Sequence, residues 1–143
     1  MAITAFRGEF AFLSNFFPSA IRASGVWPTA EHLFQAQKTA SIEWQERIRR
    51  AGTPGQAKRL GRKAPLRGDW ERHKLADMAW ILRLKFTQHP DLRARLLATG
   101  EEELIEGNTW NDRFWGICNG VGENHLGRLL MELRSELRRE VTP

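Results

Sequence analysis

From Asp69 to Gln88 the chain runs without a glycine or proline and carries apolar residues on two faces. Trp70, Met78, Ile81 and Leu84 lie on one, and Leu75, Ala79, Leu82 and Phe86 on the other. A helix with one apolar stripe rests on a core, whereas one with two needs covering on both sides. The stretch therefore predicts a long, central, largely enclosed helix, opened by Asp69 as N-cap and ended by His89-Pro90. Turn residues divide the rest into further predicted helices at about 29–40, 42–51, 54–60, 91–98 and 124–139. The last carries Leu126, Leu129, Leu130, Leu133 and Leu137 at ordinary core spacing.

Strand signals are short. Phe6, Gly8, Phe10 and Phe12 alternate with Arg7 and Glu9, which predicts a strand running into the loop at Leu13-Ser14-Asn15-Phe16. Residues 21–27 predict a second strand paired with it, and residues 103–106 a third. Asn108 to Asn124 reads as loop, with Gly116, Gly120 and Gly122 permitting unusual backbone angles. The expected class is mainly α, a single domain over 1–143 with a few short β-strands near the N-terminus and around 103–106.

Composition narrows the function. A chain of 143 residues has the size of one domain. No apolar run approaches a membrane span, and the first twenty residues do not read as a signal peptide. Cys118 is the single cysteine, so no intrachain disulfide can form, and a cytoplasmic location is expected. With His32, His73, His89 and His125 scattered, no metal-ligand spacing is present, and no metal or cofactor is expected. A net charge of +5 points to anionic partners. Six Trp and eight Phe without any Tyr suggest indole rings bordering a cleft, because a buried indole N–H needs a partner.

The most informative segment is Trp27-Pro28-Thr29-Ala30-Glu31-His32-Leu33-Phe34-Gln35-Ala36-Gln37-Lys38. Pro28 stops a strand and Thr29 can cap the helix that follows. At about 100° per residue, Glu31, Gln35 and Lys38 fall within roughly 60° of one another. A carboxylate, an amide and an amine on one stripe make either a salt-bridged surface or one wall of a polar pocket. The neighbouring aromatics favour the pocket.

Several further blocks occur in order with this one. They are Phe12-Leu13-Ser14-Asn15-Phe16, Leu60-Gly61-Arg62, Leu66-Arg67-Gly68-Asp69-Trp70, Lys85-Phe86, Asn111-Asp112 with Trp115-Gly116, and Gly122-Glu123-Asn124-His125-Leu126-Gly127 with Leu130-Met131-Glu132-Leu133-Arg134. Together the sequence resembles the YbiA-like, or NADAR, domain family, from about Arg7 to Leu137. The resemblance implies a helical fold and an N-glycosidase that hydrolyses early riboflavin-biosynthesis intermediates, the phosphoribosylamino-pyrimidines, to ribose 5-phosphate and a free aminopyrimidine. Other branches remove ADP-ribose from guanine in nucleic acid, which gives an alternative activity and admits nucleic acid only as an ADP-ribosylated substrate. A non-catalytic nucleotide or nucleic-acid binding module is a second alternative. The resemblance implies Glu31, Asp112 and Lys38 as catalytic positions. It implies Asn15, His32, Arg62, Trp70, Lys74, Trp115 and Asn124 as substrate-binding positions.

The chemistry fits these side chains. Cleaving a C–N bond at an anomeric carbon passes through an oxocarbenium-like state, which a carboxylate stabilises while a second group activates water or protonates the leaving nitrogen. Glu31 and Asp112 suit these two roles, in either order, if they meet in one hollow. Trp70 and Trp115 can stack on a base. Arg62, with Lys58 or Arg67, can fork onto a phosphate. Lys38, or else Lys74, can act as a Schiff-base nucleophile where its pKa is lowered.

Each position also has a plain structural reading. Glu31 suits a helix start by the dipole alone, and Asp69 is a cap. Trp44, Trp80 and Phe86 read as core. Lys74 and Lys85 can snorkel to water, and the basic run from Lys58 to Arg67 can be a solvated face. Cys118 reads as a small packing residue.

Overall fold

The computed structural model describes residues 1–141. In chain order its elements are β1 (Ala2–Ile3), a 3-10 helix (Gly8–Leu13), β2 (Ile21–Arg22), β3 (Val26–Trp27), α1 (Ala30–Gln37), α2 (Ile42–Arg49) and α3 (Pro54–Lys63). Then follow α4 (Trp70–Gln88), α5 (Pro90–Ala98), β4 (Glu103–Leu104), β5 (Gly107–Asn108), β6 (Ile117–Cys118) and α6 (His125–Val141). The fold is mainly α, as expected. The chain divides into two compact units, one running from Asn15 to Gln88, the other joining Met1–Ser14 to the chain from His89 onward.

In the unit from Asn15 to Gln88, α1 is the element on which α2, α3, α4 and β3 all pack. It starts where expected, because the Thr29 hydroxyl accepts from the His32 N–H at 3.2 Å. Ser41 and Thr53 cap α2 and α3 in the same way. Every residue from Ala30 to Ala36 is buried, polar ones included. This is the one helix in the unit with no solvent face over its first two turns, so its polar side chains must find partners inside the protein. β2 and β3 form a tight antiparallel hairpin, Ile21 opposite Trp27, turning through Ser24 and Gly25 at positive φ.

α4 is long but not enclosed. Met78, Ile81, Leu82, Lys85 and Phe86 are buried, so residues of both predicted apolar faces join one broad buried stripe, while Leu75, Ala79 and Trp80 are exposed. One stripe suffices to anchor a helix, and exposed apolar side chains are common enough to need no cover. Trp80 therefore leaves the expected core, and Trp44 is only partly buried, under the Arg47 guanidinium at 4.1 Å. Phe86 and Cys118 are buried as read. Lys85 does not snorkel; it is wholly buried.

In the other unit, β1 pairs in parallel with β4 and β5 with β6. α6 packs on β4 and α5 through buried Leu126, Leu130, Leu133 and Leu137. The aromatic segment that alternates like a strand is instead the 3-10 helix Gly8–Leu13. Phe12 and Leu13 are buried there while Glu9 stays exposed, a pattern that a tight helix satisfies as readily as a strand. The hairpin thus lies within residues 21–27, not between that segment and a second strand. No helix among the described residues is long and apolar enough to cross a membrane.

Candidate active site

Glu31 sits in the first turn of α1, 7% exposed. Its backbone N–H donates to the Asn15 carbonyl at 3.0 Å, which ties the start of the helix to the segment before β2. One turn on, the Gln35 amide donates from Nε2 to Glu31 Oε2 at 2.6 Å, both side chains being buried. Lys38 caps the C-terminal end of α1, half-buried, and its carbonyl accepts from the Arg67 N–H at 2.7 Å. Burial is the main reason that the Lys38 ammonium is held below the usual lysine range. The Glu31 carboxylate opposes that shift, and Lys58, Arg62 and Lys74 reinforce it. One carboxylate and four cations from α1, α3 and α4 thus share a single electrostatic neighbourhood. The stripe read from the sequence is a buried polar site and not a solvated salt bridge.

The supporting residues divide by what their atoms already do. Trp70, at the start of α4, is nearly buried, with its ring 5.2 Å from Phe34 and the Arg67 guanidinium 5.6 Å above it. Lys74 pairs with Glu71 at 2.6 Å, and Arg62 is exposed on α3. Asn15 is buried; its Nδ2 lies 3.3 Å from Met78 Sδ, and its Oδ1 has no partner among the described residues. His32 has both ring nitrogens engaged by the scaffold, Nε2 with the Ala51 carbonyl at 3.0 Å and Nδ1 with the Thr29 hydroxyl at 2.8 Å. A carbonyl only accepts, so the proton belongs on Nε2 and the Thr29 hydroxyl donates to Nδ1. His32 therefore leaves no nitrogen for a ligand. Its place is that of a bracket behind Glu31.

In the unit that contains α6, the expected residues gather in the loop after β5. Asp112 Oδ1 accepts from the backbone N–H of Phe114 at 3.2 Å and of Trp115 at 2.9 Å, an Asx-type turn that bends the loop. Trp115 is half-buried, edge-on to Phe114 with centroids 4.8 Å apart. Asn108, assigned no role from the sequence, anchors the loop, with its Nδ2 2.8 Å from Glu106 Oε2 and 2.9 Å from the Asp112 carbonyl, and its Oδ1 accepting from the Asp112 N–H at 3.0 Å. A β-carbon at Gly116 would overlap Glu106 Oε2 and lie 2.7 Å from Asn108 Nδ2. Asn124 is another bracket. At φ +54° it donates to the Leu104 carbonyl at 2.9 Å and accepts from the Glu106 N–H at 3.0 Å, so its amide braces the scaffold.

Asn108, Glu106 and Gln35 carry more of this geometry than the sequence alone assigned to them. Only Gln35 had a usable signal, its i,i+4 spacing from Glu31. Among the described residues, no cluster of His, Cys, Asp and Glu is arranged to hold a metal ion.

A mostly helical fold that carries a buried carboxylate–amide–lysine stripe, with cations at hand, has the chemistry of a hydrolase for charged glycosides. The chain belongs to the NADAR domain family, whose model matches residues 5–138. It is 48% identical over 133 residues to N-glycosidase YbiA of Shigella boydii, covering 90% of this chain and 82% of the relative. It is 44% identical over 134 residues to riboflavin biosynthesis protein VVA0006 of Vibrio vulnificus, covering 89% of this chain and 35% of that protein. The solution NMR structure of YbiA from Escherichia coli superposes with a TM-score of 0.88 at 43% identity, over 99% of this chain and 86% of that one.

Proposed function

We infer that the protein is an N-glycosidase of the riboflavin pathway, hydrolysing the bond between ribose C1 and the exocyclic amine of a phosphoribosylamino-pyrimidine. The observation that carries this reading is the buried Glu31 carboxylate, hydrogen-bonded by Gln35 and electrostatically coupled to Lys38. Relatives named N-glycosidase and riboflavin biosynthesis protein support the activity and the pathway. As the C–N bond lengthens, positive charge grows on the sugar, and a fixed anion in a dry setting stabilises it more than water would. Glu31 supplies that anion. The leaving amine must gain a proton, and the water that adds to C1 must lose one. Asp112 is assigned this exchange on its chemistry: Oδ1 is committed to the turn, and no bond to Oδ2 is formed by the described residues.

Lys58, Arg62 and Lys74 are assigned to the phosphate, whose two charges offset their mutual repulsion. Trp115 is assigned to stack on the base; nearly buried Trp70, backed by Phe34, is assigned to shape the wall beside Lys38. Asn15 Oδ1, buried and unpartnered among the described residues, suits a substrate hydroxyl or amine.

The test is release of ribose 5-phosphate from the phosphoribosylamino-pyrimidine by wild type and by Glu31→Gln. Turnover in wild type alone supports the reading; equal rates reject it. ADP-ribosylated oligonucleotide, run in parallel, decides whether an ADP-ribosyl group is the preferred glycosyl donor.

The lowered pKa of Lys38 favours a second route through the same residues. A neutral Lys38 amine bonds to C1 as the aminopyrimidine departs with a proton; the opened sugar is then held as an imine until water releases it and restores the amine. Borohydride reduction during turnover would leave a covalent sugar on Lys38 by this route, and none if water attacks directly.

A further inference from the structure

Beyond assigning Glu31, the packing of α1 against α3 shows what holds that carboxylate in place. Gln35 is 3% exposed, and its amide has two ends in different situations. Nε2 donates to Glu31 Oε2 at 2.6 Å; Oε1 is buried and has no partner among the described residues. Turning the amide over would set its carbonyl oxygen against the carboxylate, two acceptors in contact, so the observed orientation is the one that electrostatics allows. Leaving an acceptor unmet in the interior is costly. A methionine or leucine would fill the same space without that cost. What only the amide supplies is an N–H on the carboxylate.

The space for Oε1 comes from Gly61 in the middle of α3. A β-carbon there would overlap Gln35 Oε1 and stand 2.8 Å from its Cδ and 3.1 Å from its Cβ. Gly61 has no positive φ to require glycine, and glycine within a helix is disfavoured relative to alanine. Helix propensity therefore does not account for this residue, whereas the Gln35 side chain does.

We propose that Gln35 is the positioning residue of the Glu31 carboxylate, and that Gly61 supplies the gap that lets Gln35 reach it. This rests on the catalytic reading of Glu31 given above. An N–H donated to Oε2 favours the ionised form and fixes the plane of the carboxylate, so that it meets the forming cation without reorganising. The charges that act on the same neighbourhood are Lys38 at the end of α1, Lys58 and Arg62 on α3, and Lys74 on α4. None of these is altered by the variants below.

Gln35→Met keeps the length and drops the donor; Gly61→Ala keeps Gln35 but pushes its amide aside. Both are expected to lower kcat, by up to about 100-fold for a displaced catalytic geometry, while KM moves less than about threefold. On a Glu31→Gln background Gln35→Met should cause no further loss, and on a Gln35→Ala background Gly61→Ala should cause none either. A carbon-detected NMR titration of Glu31 gives a readout that needs no substrate. Its midpoint should move to higher pH in Gln35→Met and in Gly61→Ala. An unmoved midpoint, or a Gln35→Met loss undiminished on the Glu31→Gln background, overturns the proposal. A moved midpoint in a protein that does not cleave the phosphoribosylamino-pyrimidine upholds Gln35 and rejects the substrate reading instead.

Discussion

Asn108 and Asp112 bond to each other twice, the Asn108 amide accepting the Asp112 N–H at 3.0 Å and donating to the Asp112 carbonyl at 2.9 Å. The backbone of Asp112 is therefore held by a neighbour, while its carboxylate holds the next two residues. These are separable tasks. Asp112→Asn keeps an oxygen at the Oδ1 position, so the turn survives and stability should change by about 0.5 kcal/mol or less. If the carboxylate carries protons, activity should fall by about 10²–10⁴. Asn108→Ala should do the reverse: it removes two bonds to the part-buried Asp112 backbone and one to the Glu106 carboxylate, for a loss of about 1–3 kcal/mol in urea unfolding. A stable Asp112→Asn with full turnover would remove Asp112 from the chemistry.

His32 offers a similar separation. Because both of its ring nitrogens join Thr29 and Ala51, its removal is expected to loosen the entry to α1 rather than to weaken substrate binding. His32→Ala should lose about 2 kcal/mol or more, from two ring hydrogen bonds and a cavity. At a temperature where it is folded, its KM should stay near that of wild type. A large KM increase with little change in stability would restore His32 to the substrate's surroundings.

These two residues also show where the sequence is legible. The cap, start and polar stripe of α1 can be read directly, because Pro28, Thr29 and the spacing of Glu31, Gln35 and Lys38 act locally. His32 and Asn124 cannot be told from ligands by type, since what they bond is backbone far along the chain, Ala51 in one case and Leu104 and Glu106 in the other. The aromatic alternation before Leu13 fits a strand or a 3-10 helix equally, and the structure takes the helix. Two apolar faces on α4 predict enclosure, yet Met78 and Ile81 of one and Leu82 and Phe86 of the other merge into a single buried stripe, and Trp80 stays in water. Gly61 looks like a packing glycine until Gln35 is seen beside it.

Lys38 gives a prediction with a definite sign. Its pKa is lowered first by burial, is raised by Glu31 and is lowered further by Lys58, Arg62 and Lys74. Glu31→Gln removes the attraction that favours the ammonium, so Lys38 should titrate at still lower pH and react faster with an amine-directed reagent at neutral pH. Lys58→Met or Lys74→Met removes a repulsion and should move Lys38 the other way. Rates of Lys38 modification against pH, followed by peptide mass spectrometry, measure both. Opposite shifts for the acidic and basic replacements are expected; shifts of the same sign would mean that these groups do not act on Lys38 through charge.

Lys85 carries a pH-dependent stability that is independent of the chemistry. It is wholly buried on α4, with the Phe86 ring 5.1 Å and the Phe17 ring 5.8 Å from its ammonium, and burial lowers its pKa to about 7. In the unfolded chain it keeps its proton up to the ordinary lysine value of 10.5. Below pH 7 both states hold the proton, and the folded protein keeps a charge in its interior. Between about pH 7 and 10.5 the unfolded state binds one more proton than the folded state, so stability rises with pH through this group. Replacing it with Met should therefore help the folded state most at or below pH 7. The advantage over wild type should then shrink by about 1.4 kcal/mol per pH unit as pH rises. Urea unfolding of Lys85→Met and wild type at about pH 6, 8 and 10 reads this difference directly. A difference that stays constant across that range would mean that Lys85 keeps the same charge folded and unfolded, with its ammonium compensated inside the protein.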